Sequence, residues 1–397
     1  MIQDFNILIS GHLKELKDTS QFRTIPLLDH GSELFLEHEN QRLLNLASNN
    51  YLGLASHDAL KTAAINATSV YGTSASASRL ISGNFALYDQ LEKELCAFKK
   101  KPASLITGSG YSANLSILSS LAGRNSVILC DKLNHASIID GALLSGARLL
   151  RYRHSDMDHL KYLITKHQDR PDKFLITDTV FSMDGDFAPL EDIAEICAGN
   201  NIISIIDEAH ATGIFGHGRG LAHQLGLTDS IDVHMGTFSK ALGSYGGYIA
   251  SSRDIIDMII NKGRAFIFST ALPPGVMAAN LAALKLVSSN PDKSAKLLNI
   301  AAQLRAHLKQ LGFDTGYSQS QIIPVILKDS HIVLKARQKL IDKGIFTGAV
   351  RHPTVPVNTA RLRISLRADL MPEHLDLIFQ AFDHLASELS LPPACRL

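Results

Sequence analysis

The chain has 397 residues, of which 45% are hydrophobic and 19% are charged. This length is enough for two or three domains, and the composition supports a buried core and excludes a disordered chain. Lys and Arg number 39 against 38 Asp and Glu. Such a balance argues against a nucleic-acid-binding protein, which usually has a basic excess.

Four cysteines, Cys96, Cys130, Cys197 and Cys395, are widely spaced and form no C-x-x-C pair. This pattern predicts reduced thiols in a cytoplasmic protein and no zinc site. No secretory signal is evident at the start of the sequence. The uncharged stretch 102–123 is long enough to span a membrane. Its many Ser, Gly, Thr and Asn residues instead favour a strand, a polar turn and a helix start, so we expect no membrane association.

Along the chain, the first elements are a helix and a short hairpin within the first 45 residues or so. Short apolar runs then alternate with helical patterns. The clearest predicted strands are Leu175–Val180, Ile202–Asp207 and Val233–Phe238. The clearest predicted helices are Leu190–Asn200 and Ser251–Gly263. This alternation predicts an α/β fold with a mostly parallel sheet covered on both faces. Ligands bind such sheets at the carboxyl ends of the strands.

The polar segment Ser288–Lys296 predicts a domain boundary. The segments beyond it indicate a small α+β domain. Its predicted helices are Leu297–Leu311, Ile332–Lys343 and Pro372–Leu389, and its predicted strands are Ile322–Leu327 and Arg361–Leu366. We therefore expect an N-terminal segment 1–45, a large domain 46–290 and a small C-terminal domain 291–397.

An acidic motif, Asp207-Glu208-Ala209-His210, begins at the last residue of the predicted strand Ile202–Asp207. The same letters occur in nucleic-acid helicases, but that function also needs a G-x-x-x-x-G-K-[ST] phosphate loop. The sequence contains no Gly-Lys dipeptide, which excludes a helicase. A structural role remains open, in which the acid simply caps the following turn.

A lysine with small and apolar flanks, Lys240, lies in the segment GTFSKALG. Partial burial would lower the pKa of this lysine and favour the neutral amine, which is the form that attacks carbonyl groups. The hydroxyls of Thr237 and Ser239 are suitable partners for phosphate oxygens. Taken alone, however, a lysine in such a segment is usually a surface residue.

Two polar turns complete the set of candidate groups. The segment Thr107–Asn114 opens a predicted helix, and a helix N-terminus favours a phosphate. The segment Asp131–Ser137 places His135 just after a predicted strand. Taken alone, the first turn is more often structural, and the second is equally consistent with a structural role. Combined with Lys240 and Asp207, they suit pyridoxal 5'-phosphate, with the lysine as the Schiff-base residue and the acid beside the ring nitrogen.

With these residues identified, the chain resembles the α-oxoamine synthase family, which uses pyridoxal phosphate on an aspartate-aminotransferase-like fold of type I. The resemblance runs from about Leu46 to Leu366. It rests on motifs that occur in the family's order: SNNYLGL (Ser48–Leu54), SRLISG (Ser78–Gly83), DKLNHAS (Asp131–Ser137), VFSMDGD (Val180–Asp186), DEAHATG (Asp207–Gly213), GTFSKALG (Gly236–Gly243) and FSTALPP (Phe268–Pro274).

The resemblance implies a role for each residue around the cofactor ring. Lys240 would hold the cofactor and then act as the base at the substrate α-carbon. Asp207 would pair with the ring nitrogen, and His135 would stack on the ring and take part in catalysis. His210 and Ser182 would contact the oxygen side of the ring.

The phosphate and substrate contacts are implied in the same way. Gly110, Tyr111 and Thr237 would bind the phosphate, while Ser269 or Thr270 would reach the phosphate of the neighbouring subunit in a homodimer. The resemblance also implies a set of substrate-binding residues, which are Arg23, Asn49, Thr354 and Arg363. A guanidinium fork such as that of Arg363 suits a carboxylate.

The C-terminal segment PTVPVNTARLR (Pro353–Arg363) is similar to that of family members that condense L-alanine with a pimeloyl thioester in biotin synthesis. The acyl group would come from coenzyme A or from an acyl carrier protein. Sister enzymes that join glycine or serine to other acyl thioesters remain an alternative, because the motifs around Lys240 do not separate them. A cofactor-less regulatory paralogue would have lost that lysine. A simple aminotransferase is disfavoured by the SMDGD and DEAHATG motifs.

Overall fold

The structure of the chain is a computed structural model that describes residues 2–389. Cys395 lies outside the described residues, whereas Cys96, Cys130 and Cys197 are free thiols. Within the described part of the chain, no cluster of three or more histidine, cysteine or acidic residues could hold a metal ion. No helix in that part is long and apolar enough to cross a bilayer.

Helices and strands alternate through most of the chain. The helices are α1 (Ile2–Asp18), α2 (Asp58–Tyr71), α3 (Ala86–Lys99), α4 (Gly110–Leu121), α5 (Ala136–Ser145), α6 (Met157–Lys166), α7 (Leu190–Gly199), α8 (Leu221–Gln224), α9 (Arg253–Lys262), α10 (Arg264–Ile267), α11 (Pro274–Ser289), α12 (Asp292–Gln310), α13 (Ser330–Asp342) and α14 (Pro372–Glu388). The strands are β1 (Phe35–His38), β2 (Gln41–Asn45), β3 (Ala103–Thr107), β4 (Ser126–Asp131), β5 (Arg148–Tyr152), β6 (Asp172–Asp178), β7 (Ile203–Asp207), β8 (Val233–Thr237), β9 (Gly247–Ser251), β10 (Ile322–Lys328), β11 (Ile345–Phe346), β12 (Gly348–Val350) and β13 (Ala360–Ser365).

The contacts divide the chain into two compact units. One unit, which we call the sheet unit, comprises Asn49–Ser182 and Asp186–Leu298. The other, which we call the terminal unit, comprises Met1–Ser48, Met183–Gly185 and Asn299–Leu397. The three-part division expected from the sequence stays a prediction.

The sheet unit contains a seven-stranded sheet in the order β3-β9-β8-β7-β6-β4-β5. Its strands are parallel except for β9, which is antiparallel to both of its neighbours. Nearly every residue of the central strands is buried. Such continuous apolar strands are typical of a sheet covered by helices on both faces. Helices α4, α5, α9 and α10 contribute to the main hydrophobic core.

The terminal unit contains two small sheets, in the orders β1-β2-β11 and β10-β13-β12. The predicted N-terminal helix and hairpin are present as α1, β1 and β2. The predicted C-terminal strands and helices are present as α12, β10, α13, β13 and α14. Because β10 and β13 pair in antiparallel register, this unit has the α+β character that the sequence indicates.

Candidate active site

Polar side chains gather at one edge of the seven-stranded sheet. Strands β3, β4, β6, β7 and β8 point in the same direction. They end at Thr107, Asp131, Asp178, Asp207 and Thr237 respectively. Parallel strands bring their carboxyl ends to the same edge, so these residues share one edge of the sheet.

Lys240 belongs to a chain of hydrogen bonds within the sheet unit. The Tyr51 hydroxyl donates to Oδ1 of Asn49 at 3.0 Å. Since a phenol has a single hydrogen, this hydroxyl accepts from Nδ1 of His210, which lies 2.7 Å away. Nε2 of His210 then accepts from Nζ of Lys240 at 2.9 Å. The lysine amine and the histidine ring are thereby held together and oriented.

A second chain of hydrogen bonds joins Asp207 to His135. Nδ2 of Asn114 donates to Oδ2 of Asp207 and to Oγ of Ser137, both at 2.9 Å. Oγ of Ser137 lies 2.8 Å from Nδ1 of His135. The backbone N–H of Ala209 donates to the other oxygen of Asp207 at 2.9 Å. The carboxylate of Asp207, buried at the end of β7, is therefore fixed in one orientation.

A buried carboxyl group, that of Asp178, also anchors His135. Its backbone N–H donates to Oδ2 of Asp178 at 2.8 Å. Burial, together with the charge of Asp207, raises the pKa of Asp178 well above its usual range. Desolvation by the surrounding protein lowers the pKa of His135. The imidazole at this edge is accordingly biased towards its neutral form, which suits stacking on an aromatic ring.

The start of helix α4 offers backbone donors. Ser109 caps the helix through a capping box with Ser112, whose backbone N–H donates to Oγ of Ser109 at 3.1 Å. Gly110 and Tyr111 are the first two helical residues, and N–H groups at these positions lack partners within a helix. Gly247 allows β9 to approach this turn, because a Cβ there would come within 2.4 Å of the Ser109 carbonyl oxygen.

Thr237 and Tyr111 flank these donors. A Cβ on Gly110 would lie 3.5 Å from Cβ of Thr237, which places the threonine beside the helix start. Its hydroxyl donates to the Gly246 carbonyl at 2.7 Å. The ring of Tyr111 meets that of His135 edge-on, with their centroids 6.3 Å apart. The hydroxyl of Tyr111 donates to the carboxylate of Asp140.

The remaining sheet-unit candidates lie in loops. Ser182 is half-buried in a turn that is closed by a β-bridge between Val180 and Phe187. Ser269 lies close to the Gly108 turn, because a Cβ on Gly108 would be 3.7 Å from its hydroxyl. Thr270 is exposed.

Three of the predicted substrate residues belong to the terminal unit. The guanidinium of Arg23 donates to the hydroxyl of Thr354 at 2.9 Å, so the fold brings two of the predicted residues together. Arg363 is buried on β13 and donates to the hydroxyl of Ser365 at 2.7 Å.

Taken together, the groups of the sheet unit fit pyridoxal 5'-phosphate. The amine of Lys240 can hold an aldehyde, and the fixed carboxylate of Asp207 can pair with a protonated ring nitrogen. The exposed amides at the start of α4 suit a phosphate dianion. The hydroxyl of Thr237 lies beside them, with its single hydrogen donated to the Gly246 carbonyl.

Some residues of the site were not assigned from the sequence, although their motifs were. Tyr51 is part of SNNYLGL, Asn114 follows the Gly-Ser-Gly turn, and Ser137 ends DKLNHAS. Asn114 lies one helical turn after Gly110. This spacing is the one signal that could have placed it on the helix face above the phosphate turn.

Glu208, the neighbour of Asp207, has a different environment. Its carboxylate is fully buried and pairs with the Lys99 ammonium, and it accepts from the Ala222 backbone at 3.1 Å. Burial alone would raise its pKa, but Lys99 and His234 lower the pKa of Glu208 to about 2. The motif therefore supplies one acid to the sheet edge and one to the interior.

We expect Glu208→Gln to destabilise the fold by about 3–5 kcal/mol, because it leaves the buried Lys99 ammonium unpaired. The folded-state pKa is below the ordinary 4.5, so the stabilisation is complete above pH 4.5 and is lost as the pH falls towards 2. The difference between wild type and variant should thus shrink by about 1.4 kcal/mol per pH unit below 4.5. Urea unfolding of wild type and variant at pH 7 and at pH 3.5 measures this difference in unfolding free energy. A difference that does not change with pH would contradict the assigned pairing of Glu208 with Lys99.

Comparison with known proteins finds relatives over almost the whole chain. Residues 41–382 match the family described as aminotransferase class I and II. A Bacillus cereus protein with the provisional name 8-amino-7-oxononanoate synthase is 43% identical over 368 residues, covering 92% of this chain and 93% of the relative. A Halalkalibacterium halodurans protein with the same provisional name is 44% identical over 386 residues, which cover 97% of this chain and 98% of the relative.

Solved structures agree in fold. A serine palmitoyltransferase variant from S. paucimobilis, with a bound pyridoxal phosphate–myriocin aldimine, matches with a TM-score of 0.92 at 28% identity and covers 99% of this chain and 100% of its own. The 8-amino-7-oxononanoate synthase of Francisella tularensis matches with a TM-score of 0.75 at 29% identity, and the match covers 88% of this chain and 98% of its own. These comparisons confirm the predicted fold class and cofactor.

Proposed function

The chain belongs to the class I and II aminotransferase family, and from this premise we propose that it catalyses the 8-amino-7-oxononanoate synthase reaction. In that reaction the α-carbon of L-alanine displaces the thiol from the carbonyl carbon of a pimeloyl thioester. The alanine carboxyl group leaves as carbon dioxide. The thiol is coenzyme A or an acyl carrier protein, and the product feeds biotin synthesis in the cytoplasm.

One observation carries this proposal. The amine of Lys240 is hydrogen-bonded to His210 and follows the strand next to the one that ends at the fixed carboxylate of Asp207. A pyridoxal-phosphate enzyme needs this pair of groups, an amine to hold the cofactor aldehyde and a carboxylate beside the ring nitrogen. The choice of reaction within the family is supported by identities of 43% and 44% to relatives with the corresponding provisional name.

The serine palmitoyltransferase reaction is the second candidate, because the higher TM-score of 0.92 belongs to that enzyme. Backbone similarity reports the fold, whereas substrate choice depends on the side chains of the site. The 28% identity to that structure is lower than the 43% to the first-named relative. We therefore rank the alanine reaction above the serine reaction.

When bound, pyridoxal phosphate withdraws electrons from the α-carbon of the amino acid attached to it. We propose that Lys240 holds the cofactor aldehyde through its amine and later moves the proton at the α-carbon. His210 orients that amine through its Nε2 and is itself oriented by Tyr51. Asp207 keeps the ring nitrogen protonated, since a nearby carboxylate favours the charged form of a base.

The other residues bind and orient. His135 offers a flat, neutral ring for stacking and is anchored by Ser137 and by Asp178. The first amides of α4, at Gly110 and Tyr111, hold the phosphate. Ser182 donates to the ring's oxygen side.

In the terminal unit, we propose that Arg363 binds a substrate carboxylate. Arg23 and Thr354, already paired at 2.9 Å, bind the acyl substrate together. We also propose that Asn49, in the sheet unit, contacts a substrate; its Oδ1 accepts from the Tyr51 hydroxyl. A guanidinium suits a planar carboxylate better than an ammonium does.

The substrate assignment is tested by mass spectrometry of products. The holoenzyme is given L-alanine, glycine or L-serine with pimeloyl, acetyl, succinyl or palmitoyl thioesters of coenzyme A, and with pimeloyl-acyl carrier protein. We expect 8-amino-7-oxononanoate as the main product, with competing pairs at least about tenfold slower, the lower limit for discrimination by one methylene. Preferential condensation of serine with the palmitoyl thioester would instead support the second candidate.

We also propose that the protein is a homodimer in which Thr270 reaches the site of the partner. Ser78 and Thr270 form a β-bridge, and the nearby side chains of Ile81 and Phe268 are 81% and 73% exposed. Large exposed apolar side chains beside a site typically mark an interface.

Substituting glutamate at Ile81 and Phe268 should convert the dimer to a monomer and abolish activity, because two charges per subunit would be buried in the interface. Sedimentation velocity and activity are measured on the same samples. The matched control is Tyr162→Glu, at a side chain 57% exposed on α6. A fully active wild-type monomer would refute this arrangement.

A further inference from the structure

His154 has no role in the proposed chemistry, yet both of its ring nitrogens face buried carboxylates. Nδ1 lies 3.0 Å from Oδ1 of Asp131, and Nε2 lies 2.8 Å from Oδ2 of Asp186. The histidine follows the end of β5, whereas the two acids come from different segments of the sheet unit. One side chain therefore links two segments that are 55 residues apart.

The first segment, Asp131–His135, leads directly to the proposed stacking residue. Asp131 ends β4 and accepts from the backbone N–H of Leu133 and of Ser155, both at 2.8 Å. It is thus part of the turn that sets the start of α5, where His135 is the N-terminal cap. A shift of Asp131 would move the His135 ring with it.

The second segment, the turn Phe181–Asp186, carries Ser182. The backbone N–H of Phe181 donates to the Asp186 carbonyl at 3.1 Å. The ring of His154 also packs edge-on against Phe181, with centroids 4.5 Å apart at 90°. His154 thus contacts the turn on both sides of Ser182, once through a charge and once through an aromatic ring.

The charge state follows from the geometry. A neutral imidazole has one N–H and can donate to one carboxylate only, whereas the imidazolium donates to both. Oδ1 of Asp186 is buried without a hydrogen-bond partner among the described residues. Burial disfavours the charged ring, but the two carboxylates raise the pKa of His154 to about 10. The ring is therefore an imidazolium at neutral pH.

We propose that His154 is a positioning residue, whose imidazolium ties the segment Asp131–His135 to the turn Phe181–Asp186 and so fixes the spacing between His135 and Ser182. The inference rests on the proposed function, in which these two side chains contact different parts of the cofactor. Removing the cation leaves two buried carboxylates without compensation, and they repel each other. The two segments then separate, and the cofactor ring loses its defined orientation.

The test is His154→Gln, which keeps one amide donor but removes the charge. In the protein without cofactor, hydrogen–deuterium exchange should become at least about tenfold faster in peptides covering both segments, equivalent to 1.4 kcal/mol of lost local stability. In the holoenzyme, the visible circular dichroism of the cofactor should fall. The kcat should fall about tenfold while KM for the amino acid changes less than about threefold, because a misplaced reactive geometry affects turnover first.

The control is His307→Gln. Nε2 of His307 lies 2.9 Å from Asp383, and its side chain is 23% exposed against 27% for His154. This variant removes a single histidine–carboxylate contact in the terminal unit, to an acid whose side chain is 49% exposed. It should leave the exchange of both segments, the cofactor dichroism and kcat unchanged. Equal effects of the two variants at equal loss of stability would overturn the positioning role, as would unaltered exchange in His154→Gln.

A second variant keeps the proposal testable if His154→Gln does not fold. Asp186→Asn retains an acceptor for His154 but removes one charge, and should speed exchange in the turn Phe181–Asp186 more than in Asp131–His135. Equal exchange in both segments would contradict the linkage. Exchange and dichroism need no acyl substrate, so a failed condensation assay would reject the proposed reaction without affecting this test.

Discussion

Replacing Lys240 with alanine is expected to abolish the visible absorbance of the lysine-bound cofactor and to remove activity. The amine both holds the aldehyde and moves the α-proton in the proposed mechanism. Loss of the proton-transfer role alone should cost about 10²- to 10⁴-fold in rate. Absorbance spectra of the protein with added cofactor, together with single-turnover kinetics, measure the two effects separately.

The controls for this prediction are Lys240→Arg and Lys161→Ala. The arginine keeps the positive charge beside His210 but cannot hold the aldehyde, so its spectrum should match that of the alanine variant. Lys161 is exposed on α6, and its loss should change nothing. A wild-type spectrum in Lys240→Ala would show that another lysine carries the cofactor, and the proposed site would then be wrong.

The sheet edge itself could be predicted from the sequence because it depends on local patterns. Asp207 and Thr237 each stand at or near the end of an apolar run, and these runs predict parallel strands. Parallel strands bring the residues at their carboxyl ends to one edge of the sheet. The structure confirms both strands, as β7 and β8. The direction of each side chain from that edge was harder to predict. Glu208 follows Asp207 immediately but is paired with Lys99 in the interior.

The partners of the site residues could not be derived from spacing. His210 and Tyr51 are hydrogen-bonded across 159 positions of the chain. Asn114 reaches Asp207 across 93. Such contacts depend on how helices pack on the sheet, whereas periodicity reports only which face of an element is buried. The family resemblance supplied the role of His210, but neither it nor the spacing supplied Asn114 or His154.

The substitution Asp207→Asn is expected to lower kcat while leaving the protein folded. A carboxylate close to a base favours its protonated form by about 1–3 pKa units, so its loss should reduce turnover by about 10- to 10³-fold. The amide can keep one oxygen towards Nδ2 of Asn114, which donates to Asp207 at 2.9 Å. The NH2 group of the asparagine then faces the backbone N–H of Ala209, which loses its acceptor, so the loss of stability should be about 1–3 kcal/mol. Steady-state kinetics and urea unfolding of the same preparations measure both quantities.

The neighbouring variant Glu208→Gln provides the sharpest contrast, because the two acids are adjacent in sequence and undergo the same change from carboxylate to amide. Asp207→Asn should reduce turnover and should lower stability less than Glu208→Gln does, whereas Glu208→Gln should leave turnover per folded molecule almost unchanged. The reason is that Asp207 accepts from two neutral donors, of Asn114 and Ala209, whereas Glu208 compensates a buried ammonium. If Asp207→Asn proved to be the more destabilising variant and retained full turnover, its carboxylate would be structural and the assigned cofactor contact would fail.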